Sequence, residues 1–337
     1  MVRQFSLADI LLVKRLQEQA ACLDLETALL WSPAPLSLAV MEYMPLGQGA
    51  STTLVENSSP SHRQAAQGFL QAWGRPDGLS CHVGFIAPAL DGSSITFRLW
   101  CDLLEHLTVA KGSWGLERIL ARVPEDGRAV DAFRQTGFSV YSRRRVLRFE
   151  RDVVDATPSP SSGFRPLTQR DAPAVLKLHH GTTPRPVQHA EGSSLGRYDP
   201  TPVLPWWKSH HIKEYVSEQD GEILAYLHIL FGQRGQWLTI VLGPGTSGKI
   251  DALLSEALEL ALTNATGPLY SSVREYQGGL VPALESAGFE QVASEALMVK
   301  HTAARAKIAV NKLSPALEKG VETAAPISSS QRRERAL

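Results

Sequence analysis

The sequence predicts a mixed α+β fold assembled from two similar halves, and three observations carry that prediction. First, Trp237 to Leu242 is a short apolar run of β-formers that breaks into Gly243-Pro244-Gly245-Thr246-Ser247-Gly248. Ile250, Leu253, Leu254, Ala257, Leu258 and Ala261 then recur at helical spacing, so the stretch reads as strand, glycine turn and amphipathic helix. Second, Thr157 to Gly163 is a linker of Pro, Ser and Gly, and the order of elements before it begins again after it. Third, Ala132-Phe133-Arg134-Gln135-Thr136-Gly137-Phe138 matches Ala283-Leu284-Glu285-Ser286-Ala287-Gly288-Phe289, each a helix end, a glycine and a strand start. Both halves also open with an extended stretch and an aspartate-started helix, at Asp9 and Asp171. Self-similarity of this kind is an internal duplication.

In the first half, Asp9, Ile10, Leu11, Leu12, Val13 and Leu16 begin an amphipathic helix. Residues 24–30 and 33–44 continue as helix, with Pro35 suited to a first turn. Strands follow at 52–55, 66–73 and 81–87, then a helix over 95–110 and a strand over 116–123. A short helix over 128–135 ends at Gly137, and the strand 139–149 closes the half. Its run of Arg143, Arg144, Arg145 and Arg148 reads as a solvated edge guarded against aggregation. In the second half, Asp171 caps a helix with Pro173 in its first turn. A region rich in Pro and His (184–211) leads to a hairpin of 214–217 and 223–231, turned at Asp220-Gly221. Beyond the glycine turn and its helix come a strand (269–273), a helix (280–286) and a last strand (289–299).

Composition narrows the function classes. The 337 residues are 43% hydrophobic and 20% charged with formal net charge zero, so nothing drives the chain in bulk toward nucleic acid or a membrane surface. The longest apolar runs are too short to span a bilayer. Met1 to Phe5 lacks the pattern of a signal peptide. Cys22, Cys81 and Cys101 form no C-x-x-C, which argues against a disulfide framework or zinc site, and the expected compartment is the cytoplasm. His179, His180, His189, His210 and His211 fit no common metal spacing, so no metal is expected.

The glycine turn is the chemically suggestive element. A strand that enters a helix through such a turn points backbone N–H groups at whatever lies in it, which favours an anion. Gly243 to Lys249 fit the spacing of an ATP-binding P-loop, but Ile250 stands where that loop needs a hydroxyl to hold magnesium. A different anion loop and a plain connection with glycines for the turn both remain open.

The order strand, two helices, three antiparallel strands, helix, strand, helix and strand resembles the GNAT acetyltransferase fold in both halves, over about residues 1–150 and 163–301. Gly137-Phe138 and Gly288-Phe289 are similar to the family's Y-x-x-x-G-F, and Phe164-Arg165-Pro166-Leu167-Thr168 with Asp171 looks like its first strand and helix. The resemblance implies two tandem domains, each a mostly antiparallel twisted sheet with splayed fourth and fifth strands, flanked by helices. With composition it gives an N-terminal domain at 1–151, expected to be non-catalytic, and a linker at 152–163. A C-terminal acyltransferase domain follows at 164–303, and a polar tail, expected to be disordered, at 304–337.

In that family the pantetheine arm of the cofactor lies between the splayed strands, pairing with strand-four backbone, and its pyrophosphate rests on the following loop. The resemblance therefore implies a binding set of Val241, Leu242, Gly243, Gly245, Thr246, Ser247, Gly248 and Lys249 for acetyl-CoA or another acyl-CoA. Against the family's Q/R-x-x-G-x-G/A, Gly248 matches the central glycine, Gly245 replaces the Gln/Arg, and Ile250 replaces the last small residue. The first-half loop, Ala89 to Ser94, has one glycine and an acid and does not match. Acyl transfer to an amine needs a proton acceptor for the amine and a donor for the departing thiolate. The family's tyrosine donor position holds Phe133 in one half and Leu284 in the other, so an active second half uses another acid or simply releases thiolate. Tyr276, beside Glu275 just past strand five, is the nearest substitute, the pair serving as acid and base, against the plainer reading of a solvated loop pair. Tyr226 and His228 share one strand face and, with Trp206-Trp207, could line the acceptor site, though packing is their ordinary role. The implied acceptor is an amine on a small molecule or peptide. The alternative is an inactive scaffold or an acyl-CoA-binding pseudoenzyme that acts through protein interaction.

Overall fold

The computed structural model describes residues 2–42, 51–57, 67–75, 77–125, 127–150, 163–192, 212–246, 248–263 and 267–302. The linker expected at 152–163, except Gly163, and the tail expected at 304–337 lie outside them.

The first half runs β1 (Val2–Gln4), α1 (Ile10–Leu16), β2 (Ala21–Cys22), α2 (Leu25–Trp31), α3 (Pro35–Met41), β3 (Ser51–Asn57), β4 (Gln67–Gly74) and β5 (Ser80–Ala87). It continues through α4 (Ser94–Ser113), β6 (Arg118–Pro124), α5 (Arg128–Gln135) and β7 (Ser139–Phe149). The second half repeats this plan as β8 (Phe164–Pro166), α6 (Ala172–Thr182), α7 (Arg185–Glu191), β9 (Ile212–Gln219), β10 (Glu222–Phe231) and β11 (Gln236–Leu242). It ends with α8 (Ile250–Leu262), β12 (Leu269–Arg274), α9 (Leu280–Ser286) and β13 (Glu290–His301).

The duplication extends to side chains. Arg3 grips Asp9 through two hydrogen bonds of 2.6 and 2.7 Å, and Arg165 grips Asp171 through two of 2.7 and 2.8 Å. Asp9 accepts from the backbone N–H of Ser6, and Asp171 from that of Thr168. Each aspartate thus reaches backward to fasten the chain entering the turn rather than capping the helix that follows it. Gly137 and Gly288, with φ of +85° and +92°, close α5 and α9 in the left-handed conformation that glycine adopts without a Cβ clash.

The two expected sheets are one. Strand order is β1-β3-β4-β5-β6-β13-β7-β12-β11-β10-β9-β8, with β2 alongside β5. The halves have exchanged their last strands: β13 lies between β6 and β7, while β7 lies between β13 and β12. The arginine run of β7 therefore sits at the centre of the sheet, not at a solvated edge. Arg144 lies opposite Glu295 of β13 and donates to it at 2.5 Å, with both side chains 4% exposed. Breaking such a buried pair by removing one partner costs about 3–5 kcal/mol.

Apolar alternation fixes which face each helix covers. Leu227 and Ile229 of β10 face α8 and α9, while Tyr226 meets Val175 and Leu178 of α6. Leu30 of α2, from the first half, packs on Leu230 and Trp237 of the second. In each half the strand before the long helix pairs in parallel with the strand after it for only a few residues. Ser80 to Val83 pair with Arg118 to Ala121, and Gln236 to Leu238 with Leu269 to Ser271, after which the strands part. Among the described residues, no helix is long and apolar enough to cross a membrane.

Candidate functional site

The parting of β11 and β12 leaves a sheet edge in the second half. Gln236 donates its backbone N–H toward β12, to Pro268 at 3.0 Å, so alternate residues Leu238, Ile240 and Leu242 present their main chain to the same side. The ladder ends at Leu238–Ser271, and the Ser271 hydroxyl adds a 3.0 Å bond to the Leu238 carbonyl. Beyond it, the edge at Ile240 and Leu242 meets no strand among the described residues. The Ile240 carbonyl instead accepts at 3.1 Å from the Gln277 side-chain amide. Val241 points its main chain the other way, toward Tyr226 of β10, and its side chain lies under α6.

The loop after β11 is anchored beneath and open above. Gly243 donates to the Leu224 carbonyl at 2.7 Å, and a Cβ on Gly243 would press on Leu178 and Leu224 at 3.0 and 3.1 Å. The buried Thr246 hydroxyl donates back to the Gly243 carbonyl at 2.9 Å, and Lys249 donates its N–H to the Thr246 carbonyl at 2.8 Å. Gly245, at φ +94°, and Gly248 have nothing within 4 Å of the place a Cβ would take. Among the described residues no side chain caps the α8 N-terminus, which suits an anion, although Asp251 in its first turn partly offsets that preference. Lys249 is held beside Gln219 by a 2.6 Å bond from its Nζ. Ser247 lies outside the described residues.

Tyr276 and Glu275 occupy a 3-10 turn that follows β12 directly. The structure gives them different surroundings. Glu275 is half exposed, 3.8 Å from Arg143. Tyr276 is turned inward, hydrogen-bonded with Thr183 and close to Arg274 and Glu191. Burial raises its pKa more than the Arg274 guanidinium lowers it, so the phenol stays protonated at neutral pH. Arg274 donates to Glu191 at 2.7 Å, and Tyr141 of β7 donates to the same carboxylate at 3.1 Å. Burial opposes the Glu191 charge, yet Arg274 holds its pKa below the usual carboxylate value. The exchanged strand β7 thus brings a first-half side chain into this cluster.

Thr239 Oγ1, Trp237 Nε1 beneath α2, His179 Nε2 of α6 and Arg274 Nη1 are buried with no hydrogen-bond partner among the described residues. Such atoms are costly to leave unpaired and commonly mark a ligand or water site. His228 lies directly opposite Thr239, and burial depresses its pKa to about 3 and that of His179 to about 4, so both rings are neutral at pH 7. The Tyr226 hydroxyl donates to Glu214, and its ring packs against His179. Trp206, Trp207, His210 and His211 lie outside the described residues. No group of three or more His, Cys, Asp or Glu among the described residues is placed to hold a metal.

The corresponding places in the first half are filled by the chain itself. β2 pairs antiparallel with Phe85 and Ile86 of β5, just past the point where β5 and β6 part. Leu23 extends the pairing by donating to the Gly84 carbonyl at 2.7 Å. At the start of α4, the Ser93 hydroxyl accepts from Ile95 and Thr96, and Asp91 accepts from Ser93 and the Thr96 hydroxyl. Phe133 and Leu284, at the two family tyrosine positions, are fully buried in the cores.

Gln277, Arg274, Glu191, Tyr141 and β2 were not singled out from the sequence. Gln277 stands three residues after Arg274 and accepts from its backbone N–H at 3.1 Å, but arginine has no acceptor to return the bond, so the pair carries no capping-box signature in the sequence. The others depend on tertiary pairing and gave no signal either.

Two solved structures share this architecture over most of the chain. The crystal structure of a GCN5-related N-acetyltransferase from Sphaerobacter thermophilus is 15% identical, with 89% of this chain and 95% of that one covered at a TM-score of 0.52. A tandem GNAT protein from the clavulanic acid biosynthesis pathway is 14% identical, with 89% and 98% covered at 0.52. No protein-family model matches the sequence, and no curated protein matches it. At these identities the likeness shows the fold: two GNAT-like halves in tandem.

Proposed function

We propose that the chain is an acyl-CoA-dependent N-acyltransferase whose C-terminal half, residues 164–303, carries the reaction. Acetyl-CoA is the expected donor, and the acceptor is an amine on a small molecule or peptide. One observation supports this above the rest: among the described residues, no strand pairs the second-half edge beyond Leu238 and no side chain caps the α8 entrance, while the first half fills both places from its own chain. In this reading the main chain of Ile240 and Leu242 holds an amide-bearing arm, and Gly243, Gly245, Thr246, Ser247, Gly248 and Lys249 hold phosphates. The bound donor supplies an activated thioester. Tyr276, kept neutral by burial, gives its proton to the departing sulfur, and Glu275 takes the proton that the attacking amine loses. The unpartnered polar atoms around Thr239 position the amine. The N-terminal half, residues 1–151, is the structural copy, and Tyr141 is its contribution to the cluster around Tyr276.

A second reading, an acyl-CoA-binding or inactive scaffold, draws support from Leu284 in the core at the tyrosine position and from Gln277 on the strand edge. One pair of measurements separates the two. Thermal unfolding with and without CoA and acetyl-CoA tests binding, since a ligand at a hundred times its Kd stabilises the folded form by about 2.7 kcal/mol. Thiol release from acetyl-CoA over a panel of amines tests turnover. A thermal shift with thiol release is the expected result; a shift without release over the whole panel establishes the scaffold, and no shift at millimolar ligand removes the cofactor site.

A further inference from the structure

We infer that Gln277 is a side-chain latch on the strand edge, which must swing away before an amide-bearing ligand can pair there. The inference rests on the cofactor reading above and adds to it a control on entry. Sheet edges carry obligatory hydrogen-bonding groups, and buried ones are satisfied somehow. Both halves solve this problem at the same point of the fold with different materials. The first half lays a stretch of main chain along β5, with β2 and Leu23 supplying the missing ladder. The second half uses one carboxamide: Gln277 Nε2 donates to the Ile240 carbonyl at 3.1 Å, and its Oε1 accepts from the Arg274 backbone N–H at 3.1 Å.

A carboxamide is the side-chain equivalent of a peptide group, so Gln277 stands in for one missing rung between β11 and β12. It occupies the first carbonyl beyond the last true rung, Leu238–Ser271, on the edge that faces β12. An incoming amide that continues the ladder needs that same carbonyl. Unlike β2, the latch can be removed by side-chain rotation alone. Gln277 is only half-buried, at the end of a 3-10 turn, and is followed by Gly278 and Gly279, both exposed and uncrowded.

Calorimetric titration of the full chain with CoA, and with adenosine 3′,5′-diphosphate as a probe that has phosphates but no amide arm, tests the latch. Gln277→Ala removes the side chain, and Gln277→Met keeps its length without the amide. Net hydrogen bonds of this kind correspond to about two- to tenfold in affinity, so both variants should bind CoA tighter by that factor and the phosphate probe as before. Unchanged or weaker CoA binding in both variants overturns the latch and leaves the site standing. Tightening in Gln277→Ala alone assigns the effect to bulk and also overturns it. Equal tightening for both ligands assigns it to general loosening of the turn and likewise overturns the latch. If neither ligand binds the wild type or the variants, the cofactor reading falls, and the latch falls with it.

Discussion

The two parted-strand regions of this molecule make an internal experiment. Both are built from a parallel pair that runs for three or four residues and then opens, and both are followed by a helix. Around β5 the opening is closed by β2, and the helix entrance is capped by Ser93 and Asp91. Around β11, among the described residues, Gln277 alone reaches across and no side chain caps the helix entrance. The scaffold therefore does not by itself create a ligand site. What differs is whether the local sequence satisfies its own backbone groups, and a site can exist only where that satisfaction is withheld or removable.

The largest effect should come from putting an acid in the open loop. Gly248→Asp places a carboxylate where phosphates are expected, and like-charge contact should weaken CoA binding on the order of 10³-fold by titration. Undiminished affinity would show that the two loops do not differ in the way described. Next, Tyr276→Phe should lower the rate of thiol release about 10²-fold with CoA affinity unchanged. A wild-type rate would take Tyr276 out of the reaction.

A third prediction uses a buried histidine near each opening. Burial holds His82 and His228 at about 3, far below the usual 6.5. The unfolded chain takes up these protons as pH falls below 6.5, while the folded chain does not until about 3. Stability from each is complete above pH 6.5 and is lost as pH falls through that window, by about 2 kcal/mol between pH 6.5 and 5. Urea midpoints measured from pH 7.5 to 4.5 should fall, and more gently in His82→Phe, without change in CoA binding at pH 7.5. The smallest effect is expected from Ser93→Ala, which removes the first-half cap. It should cost about 1 kcal/mol in urea unfolding and leave CoA binding untouched; a new second binding event would mean that the cap alone had kept the first half closed.

Much of this was legible in the sequence, and the parts that were not share a physical cause. Apolar spacing located the long helices α4 and α8 and the hairpin turned at Asp220-Gly221, whose φ values of +54° and +79° match the residues found there. The repeated Arg-to-Asp clamp follows from the duplication at Asp9 and Asp171. The strand exchange was hidden because alternation says that β7 and β13 are strands but not which neighbours they choose. β2 is two residues long, too short for any period to show. α7 was concealed within a region read as rich in Pro and His. In the candidate site, the glycine loop was visible as a sequence pattern, whereas Glu191 and Tyr141 meet Arg274 only through the tertiary fold.

The exchange of last strands also has a consequence for how the molecule is made. β6 is finished early in translation, but one of its lasting neighbours, β13, comes from residues 290–301. At the usual 5–20 residues per second, roughly ten seconds or more of synthesis separates the two. During that interval the nascent chain holds β6 and β7 with no β13 to place between them. Completion of the sheet's centre therefore waits for the end of the second half, and the first half cannot reach its final form on the ribosome ahead of its twin.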